Sequence, residues 1–334
     1  RSPSRVFLVL GRAAEATSYD VNSRLDNPDA QLNGVCADIN GMCTLRAAVM
    51  EAVADAMGGL NDTIRLHAGL PYTLSQQGLP DDYTHGDLDI VGPGQVEIIG
   101  DGAATTVIDA NHIDRIFNVA GHLEITGVTL RNGKPSTASH TDGGAILVNG
   151  GNVTVERCVL DSNDAIGHYG GAIAATSSAF LVMTGTTIRL NAASLGGGIA
   201  TLGSFVTIRM SAIVQNSSGN GGGLYQNNGI STIENSTFAL NDSTGNGGGI
   251  SIGGGTLKLN NATVAGNLAD SDGDGSGLGG GIDDGAPISI VVSNSIFKNS
   301  NGFTHDVDDC HATHDVNDVF YLINFLFAGG PAPV

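Results

Sequence analysis

Two short signatures return along this chain at nearly the same interval. A Gly-Gly-apolar element occurs at Gly143-Gly-Ala-Ile146, Gly170-Gly-Ala-Ile173, Gly197-Gly-Ile199, Gly222-Gly-Leu224, Gly248-Gly-Ile250 and Gly280-Gly-Ile282, and its last residue advances by 27, 26, 25, 26 and 32. An asparagine closing a strand-like run recurs independently at Asn163, Asn191, Asn216, Asn241, Asn267 and Asn299, with steps of 28, 25, 25, 26 and 32. The shared long step places an insertion of about six residues between Asn267 and Ile282. Three positions before the asparagine stand Leu160, Ile188, Ile213, Phe238, Val264 and Ile296, and eight before it Val155, Met183, Ile208, Ile233, Leu259 and Val291. Five before it the residues are small: Cys158, Thr186, Ser211, Ser236, Ala262 and Asn294.

A chain that returns to one column every ~25 residues can stack parallel strands about 4.8 Å apart, with backbone hydrogen bonds running along the stack. Aliphatic columns then become inner ladders, and the asparagines become amide ladders at the corners, because each amide both donates and accepts. The glycine pairs mark bends that need positive φ or a close neighbour. Weaker turns extend the pattern backwards through Val96-Glu-Ile-Ile99, Thr106-Val-Ile-Asp109, Ile116-Phe-Asn-Val119 and His122-Leu-Glu-Ile-Thr-Gly-Val-Thr-Leu130. The expected fold is therefore all-β, a right-handed parallel β-helix (a solenoid) over residues 62–300 with roughly nine or ten turns. A β-propeller is the rival, but its repeats run nearer to about 40 residues.

An open stack leaves two edge faces that need covering, and the sequence offers a short α-helical cap at each end. Thr44 is placed to cap a helix from Leu45 to Met57 with Leu45, Ala48, Val49, Ala52 and Ala56 on one face, stopped by Gly58-Gly59. Asp315 and Asp318 open a second helix whose stripe is Val319, Leu322, Ile323 and Leu326, ended by Gly329-Gly-Pro331. The expected organisation is an N-terminal strand and capping helix in 1–61, the β-helix in 62–300 and a C-terminal capping helix in 301–334.

Composition narrows the function classes. With 41% hydrophobic residues the chain carries enough apolar surface for a sizeable core, which excludes a disordered polymer. The 14 Lys+Arg against 33 Asp+Glu, a net charge of −19, argue against nucleic acid or an anionic membrane as partner. No apolar run approaches the roughly 18–20 residues of a membrane span. Val6-Phe-Leu-Val-Leu10 behind Arg1 and Arg5 reads as a truncated export signal, an artificial boundary or a stray strand. Cys36 and Cys43 are close enough in sequence to close a small disulfide loop in an oxidising compartment, while Cys158 and Cys310 are isolated and fit no zinc spacing.

Some segments resemble known families. Cys36-Ala-Asp-Ile-Asn-Gly-Met-Cys-Thr-Leu-Arg-Ala-Ala-Val49 resembles the "CSLREA" segment found ahead of secreted bacterial right-handed β-helix proteins, departing from it at the second and fifth positions of Cys43-Thr-Leu-Arg-Ala-Ala48. The glycine pairs and strand-closing asparagines are similar to polymorphic outer-membrane protein repeats (GGAI and FxxN), the latter matched in full at Phe238-Ala-Leu-Asn241. These resemblances imply a bacterial solenoid, secreted or at the cell surface. The tail from Asp315 to Pro331 resembles the helix half of a dockerin-type calcium repeat, but counting from Asp306 and Asp308 its loop carries Cys310 and His311 where a carboxylate and glycine belong. A cohesin partner is not expected; a hydrophobic plug is.

Two clusters carry candidate chemistry. Asp270-Ser-Asp-Gly-Asp-Gly275 sets Asp270, Asp272 and Asp274 at alternate positions before a glycine, as in the first half of an EF-hand-like calcium loop, with Gly281 where the twelfth ligand belongs and Asp283 and Asp284 just beyond. Stacking of neighbouring turns would bring His140 and Asp142 against His168 and Tyr169, with Arg131 and Lys134 arriving from the turn below, and a histidine beside a carboxylate can act as a general base. No phosphate loop, GxSxG elbow or HExxH pair is present. The leading expectation is a non-catalytic surface or secreted solenoid for adhesion or for binding extracellular glycans. The second is a polysaccharide lyase or glycoside hydrolase acting on extracellular polysaccharide.

Overall fold

The computed structural model describes residues 16–77, 83–135, 141–285, 289–298, 300 and 310–311. In these the chain winds as a parallel β-solenoid. Sheet I has ten strands, from Ser18–Asp20 and Asp62–Leu66 through to Thr256–Asn260 and Ser289–Ser293. Sheets II and III have nine each, running from Leu88–Ile90 to Cys310–His311 and from Tyr72–Thr73 to Ile296–Lys298. A fourth sheet of four strands, from Asp164–Tyr169 to Asp242–Ser243, occupies the middle of the stack. The regular coil comprises about six turns rather than the expected nine or ten. Only from the turn of Gly143 onward do glycine bend, small residue and ladder position all recur, and the earlier rungs are joined by longer, irregular connections.

The sequence columns become spatial columns through register. Ile146, Ile173, Ile199, Leu224, Ile250 and Ile282 lie directly over one another in sheet II. Leu160, Ile188, Ile213, Phe238 and Val264 do so in sheet III, and Val155, Met183, Ile208, Ile233 and Leu259 in sheet I. All are buried and form one continuous core. Each bend opens on a left-handed glycine (Gly143 at φ 71, Gly170 at φ 69), and a side chain on the next residue, Gly144 or Gly171, would collide with a carbonyl of the following turn. One glycine supplies the turn and the other the close approach.

Beside this apolar bore runs a buried polar ladder. The Nδ2 of Asn163, Asn191, Asn216 and Asn241 each donates at 2.9 Å to the Oδ1 of the next asparagine, ending at Asn267. The second amide hydrogen reaches back to a backbone carbonyl of the preceding turn: Leu130, Leu160, Ile188, Ile213 and, for Asn267, Phe238. Each Oδ1 also accepts the backbone N–H of the asparagine one turn before it, and Gly133 N–H closes the start of the ladder on Asn163. A parallel hydroxyl ladder links Thr186 N–H to Ser211 and Ser211 N–H to Ser236.

The last turn corrects the sequence alignment by one residue. Sheet III pairs Val264 with Phe297 and sheet I pairs Leu259 with Val292, while Ala262 and Asn267 donate to Ser295 and Ser300. Val291 and Ile296, expected inside, are instead 52% and 47% exposed, and the ladder position belongs to Ser300 rather than Asn299. The cause is a second insertion: Ile250 pairs with Ile282 but Thr256 with Ser289, so the corner after Asp284 holds one residue more than the turn before. A slip of one residue inverts every side chain. Asn299 itself, like His140 and the predicted helix of residues 315–326, lies outside the described residues.

At the other end helix Leu45–Ala56, capped by the Thr44 hydroxyl accepting from Ala47 N–H, packs its apolar stripe against strands Asp62–Leu66, Leu88–Ile90 and Gln95–Gly100. A disulfide joins Cys36 to Cys43 just before it. Arg46 is fully buried, its Nε 2.8 Å from Asp26 Oδ1 and its Nη2 on the Gly86 carbonyl. Losing either partner would strand a buried charge. Strand Ser18–Asp20 is held to the first rung by sheet pairing and by His67, whose Nε2 is 2.5 Å from Asp20 Oδ1 while Nδ1 is 3.5 Å from Asp101 Oδ2.

Two measurements check these assignments. Phe297→Ala is expected to lower the unfolding free energy by about 3 kcal/mol, as for a buried aromatic, and Ile296→Ala by no more than about 0.5 kcal/mol. Equal costs in denaturant titrations would restore the original register. The hydrogen bond to Asp20 holds the His67 imidazole above its ordinary value despite partial desolvation, with Asp101 adding to the effect. Its stabilisation is thus complete below about pH 6.5 and is lost as pH rises through the raised value. Because the pair is exposed, the effect is small and screened by salt. Melting curves from about pH 5 to about pH 8 should show this slope in the protein and not in His67→Gln.

Candidate functional site

The predicted cluster forms only in part. His168 Nδ1 lies 3.8 Å from Asp142 Oδ1, and Tyr169 meets the same oxygen through its backbone N–H at 3.2 Å rather than through its phenol. The Tyr169 ring instead faces Tyr225, two turns on, with centroids 6.4 Å apart. Burial, with a smaller contribution from Tyr169, raises the Tyr225 hydroxyl above its ordinary pKa. Arg131 and Lys134 do not converge on Asp142: Arg131 pairs with Asp109 at 2.7 Å and Lys134 with Asp164 at 3.0 Å.

The stacking of the turns explains Asp142. Gly143, Gly170, Gly196 and Gly221 each donate to the carbonyl of the residue before the following bend, so Asp142, Tyr169, Leu195, Asn220 and Asn246 occupy one column. Within it Asn220 Oδ1 accepts the N–H of Asn246, and Asn246 Oδ1 accepts that of Leu278. Asp142 Oδ1 does the same for Tyr169. The carboxylate occupies a ladder position that an amide fills elsewhere, and the buried Arg115, which reaches the Asp142 carbonyl at 2.7 Å and pairs with Asp87, fixes that bend from the preceding turn.

The acidic loop brings Asp270, Asp272 and Asp274 together, one oxygen from each lying within 4.8 Å of the others. Two of these carboxylates are exposed. Asp270 Oδ1 accepts from Gly275 N–H and Asp274 Oδ1 from Ser276. Hard oxygen donors at this spacing suit a calcium-sized cation.

The outward face of sheet I carries a surface that the sequence pattern did not single out. Phe180 pairs in register with Phe205, and Phe205 with Ile230. The two rings are stacked, 4.9 Å between centroids and 12° between planes, yet remain 52% and 41% exposed. The adjoining outward column is Thr154, Val182, Thr207 and Thr232. Among the described residues the hydroxyls of Thr154, Thr207 and Thr232 have no hydrogen-bond partner. Arg209 and Glu234 beside them pair at 2.9 Å, and Glu124 and Lys258 continue the threonine column at its two ends. The available signal was parity: Phe180 and Phe205 sit one place before the inward-facing Leu181 and Val206.

Three further apolar side chains stand at the corners of sheet III. Leu190, Met210 and Leu240 are 52%, 61% and 60% exposed and hold left-handed backbone at φ 56, 47 and 56, at corners where other turns place Gly185, Gly266, Asn235 or Asn261 and also the polar Arg157, Ser162 and Gln215. Such a conformation costs about 1–2 kcal/mol for an ordinary L-residue. Folding alone does not call for an exposed aliphatic side chain at that cost.

No family model, curated protein or solved structure matches the chain.

Asp142→Asn offers a direct check of the ladder assignment. An amide there should preserve the acceptor for Tyr169 N–H and change stability by no more than about 0.5 kcal/mol, whereas Asp142→Ala should cost about 1–2 kcal/mol. Equal losses in both variants, read from denaturant midpoints, would show that the charge is what matters.

Proposed function

We propose that this chain is an exported bacterial solenoid, secreted or at the cell surface, that works by binding extracellular glycans or other surface components along its outward faces. The observation that carries this reading is the stacked, solvent-exposed Phe180–Phe205 pair, set on a parallel sheet beside unpaired hydroxyls. Large apolar groups held in water on a rigid scaffold mark contact surfaces. The exposed aliphatic side chains at strained corners, Leu190, Met210 and Leu240, support the same reading. The Cys36–Cys43 disulfide suits an oxidising compartment. The resemblance of the segment around it to those preceding secreted β-helix proteins points the same way, as does the likeness of the glycine-pair repeats to outer-membrane protein repeats. Among the described residues no helix is long and apolar enough to cross a membrane.

Calcium is the cofactor this reading admits, held by Asp270, Asp272 and Asp274 and serving to order the loop inserted between turns. The dockerin-like tail lies outside the described residues, and no cohesin partner is proposed for it. A second reading, a lyase or hydrolase, is supported by the approach of His168 to within 3.8 Å of Asp142, since general acid–base catalysis uses a histidine beside a carboxylate.

Glycan-array binding, run with calcium and with chelator alongside an assay for unsaturated uronate products, separates these readings. The expected outcome is glycan binding without product, weakened by the chelator. Release of product that disappears in His168→Ala would overturn the binding reading in favour of the enzyme.

A further inference from the structure

We infer that the strip formed by Phe180, Phe205 and Ile230 with Thr207 and Thr232 takes a neutral, extended polysaccharide lying along the solenoid axis, about one sugar per turn. This rests on the proposed binding function and adds the ligand's charge, shape and direction. Charge decides the first point. In a chain of net charge −19, the strip from Phe180 to Glu234 bears the mutually neutralised Arg209 and Glu234, and its threonine column ends on Glu124 on one side and Lys258 on the other. A polyuronate would meet overall repulsion along the strip with only Lys258 at one end to offset it, whereas a neutral glycan meets no such repulsion.

Ring geometry supports the second. Touching aromatic rings lie roughly 3.5–4 Å apart, so a centroid separation of 4.9 Å at 12° means that Phe180 and Phe205 are offset and inclined to the axis. The offset leaves part of each ring uncovered by the other, and the apolar C–H face of a pyranose can rest on that exposed surface. Direction follows from the stack. Asn152, Phe180, Phe205 and Ile230 occupy one column in consecutive turns, with Thr154, Val182, Thr207 and Thr232 in the next. Rungs repeat about every 4.8 Å, close to the advance of one unit in an extended β-1,4-linked chain. Successive sugars thus meet equivalent positions: a ring or aliphatic surface below and, at Thr207 and Thr232, a hydroxyl able to donate or accept alongside.

The area argues against a protein as occupant. Four turns of a single sheet face amount to only a few hundred Å², well below the roughly 800 Å² per partner of a stable protein interface.

The test is calorimetric titration of the full chain with neutral β-1,4-linked glucan, xylan and chitin oligomers and with oligogalacturonate. Affinity for at least one neutral series should rise from the dimer to the tetramer and then level off, and oligogalacturonate should not bind. Phe205→Ala and Phe180→Ala should each weaken binding by about tenfold with unchanged melting temperature, Phe205→Tyr should retain it, and Leu70→Ser, at an exposed leucine outside the strip, should leave it unaltered. Preference for oligogalacturonate, or neutral binding unaffected by either Phe→Ala variant, would overturn the proposed strip while leaving glycan binding in place. Binding to no glycan here or on the array would remove both.

Discussion

The structure depends on vertical registry, each residue lying over its counterpart one turn away. Backbone hydrogen bonds along the stack provide the adhesion between turns, but they alone do not choose the register, since a strand shifted by two residues could make as many. The asparagine ladder does choose. A buried amide that must donate to one neighbour's oxygen and to a carbonyl of the preceding turn is satisfied in a single alignment, and each one left unpaired costs about 1–3 kcal/mol. The apolar columns confirm that alignment by placing an isoleucine, leucine or methionine over another of similar size.

Once the inside is committed in this way, the outward positions become free to vary, and function has to be sought there. Sheet I exposes stacked rings and hydroxyls, the corners of sheet III expose strained aliphatic side chains, and an acidic loop projects between two turns. Asp142 shows the opposite relation, because a residue whose chemistry invites a catalytic reading is occupied in holding the next bend. The same carboxylate can stand near a histidine and still serve chiefly as an acceptor for a backbone N–H.

The inner columns were legible in sequence because parallel stacking converts period into contact, and they are correct wherever the period is unbroken, from Val155 to Val264. They failed at Ile296 because an extra residue at a corner leaves no chemical mark, and a chance asparagine at 299 preserved the apparent step. The cap helix was legible from Thr44 and its stripe, whereas the burial of Arg46 was not, since Asp26 lies 20 residues away and is brought to it only by the fold. Phe180 and Phe205 escaped notice because an apolar residue at the start of a strand looks like core until inward and outward parity is counted. The ladder role of Asp142 was not legible because a ladder mixing Asp with Asn shows no repeated letter.

Equilibrium unfolding of Asn216→Ala beside Thr207→Ala, an outward-facing control in the neighbouring strand, tests the registry argument most directly. The account predicts a loss of about 3 kcal/mol for the first, from the donors and acceptors stranded on Ile188, Asn191 and Asn241, and no more than about 0.5 kcal/mol for the second. Comparable, small losses in both would mean that the amide ladder accompanies the stack without fixing it.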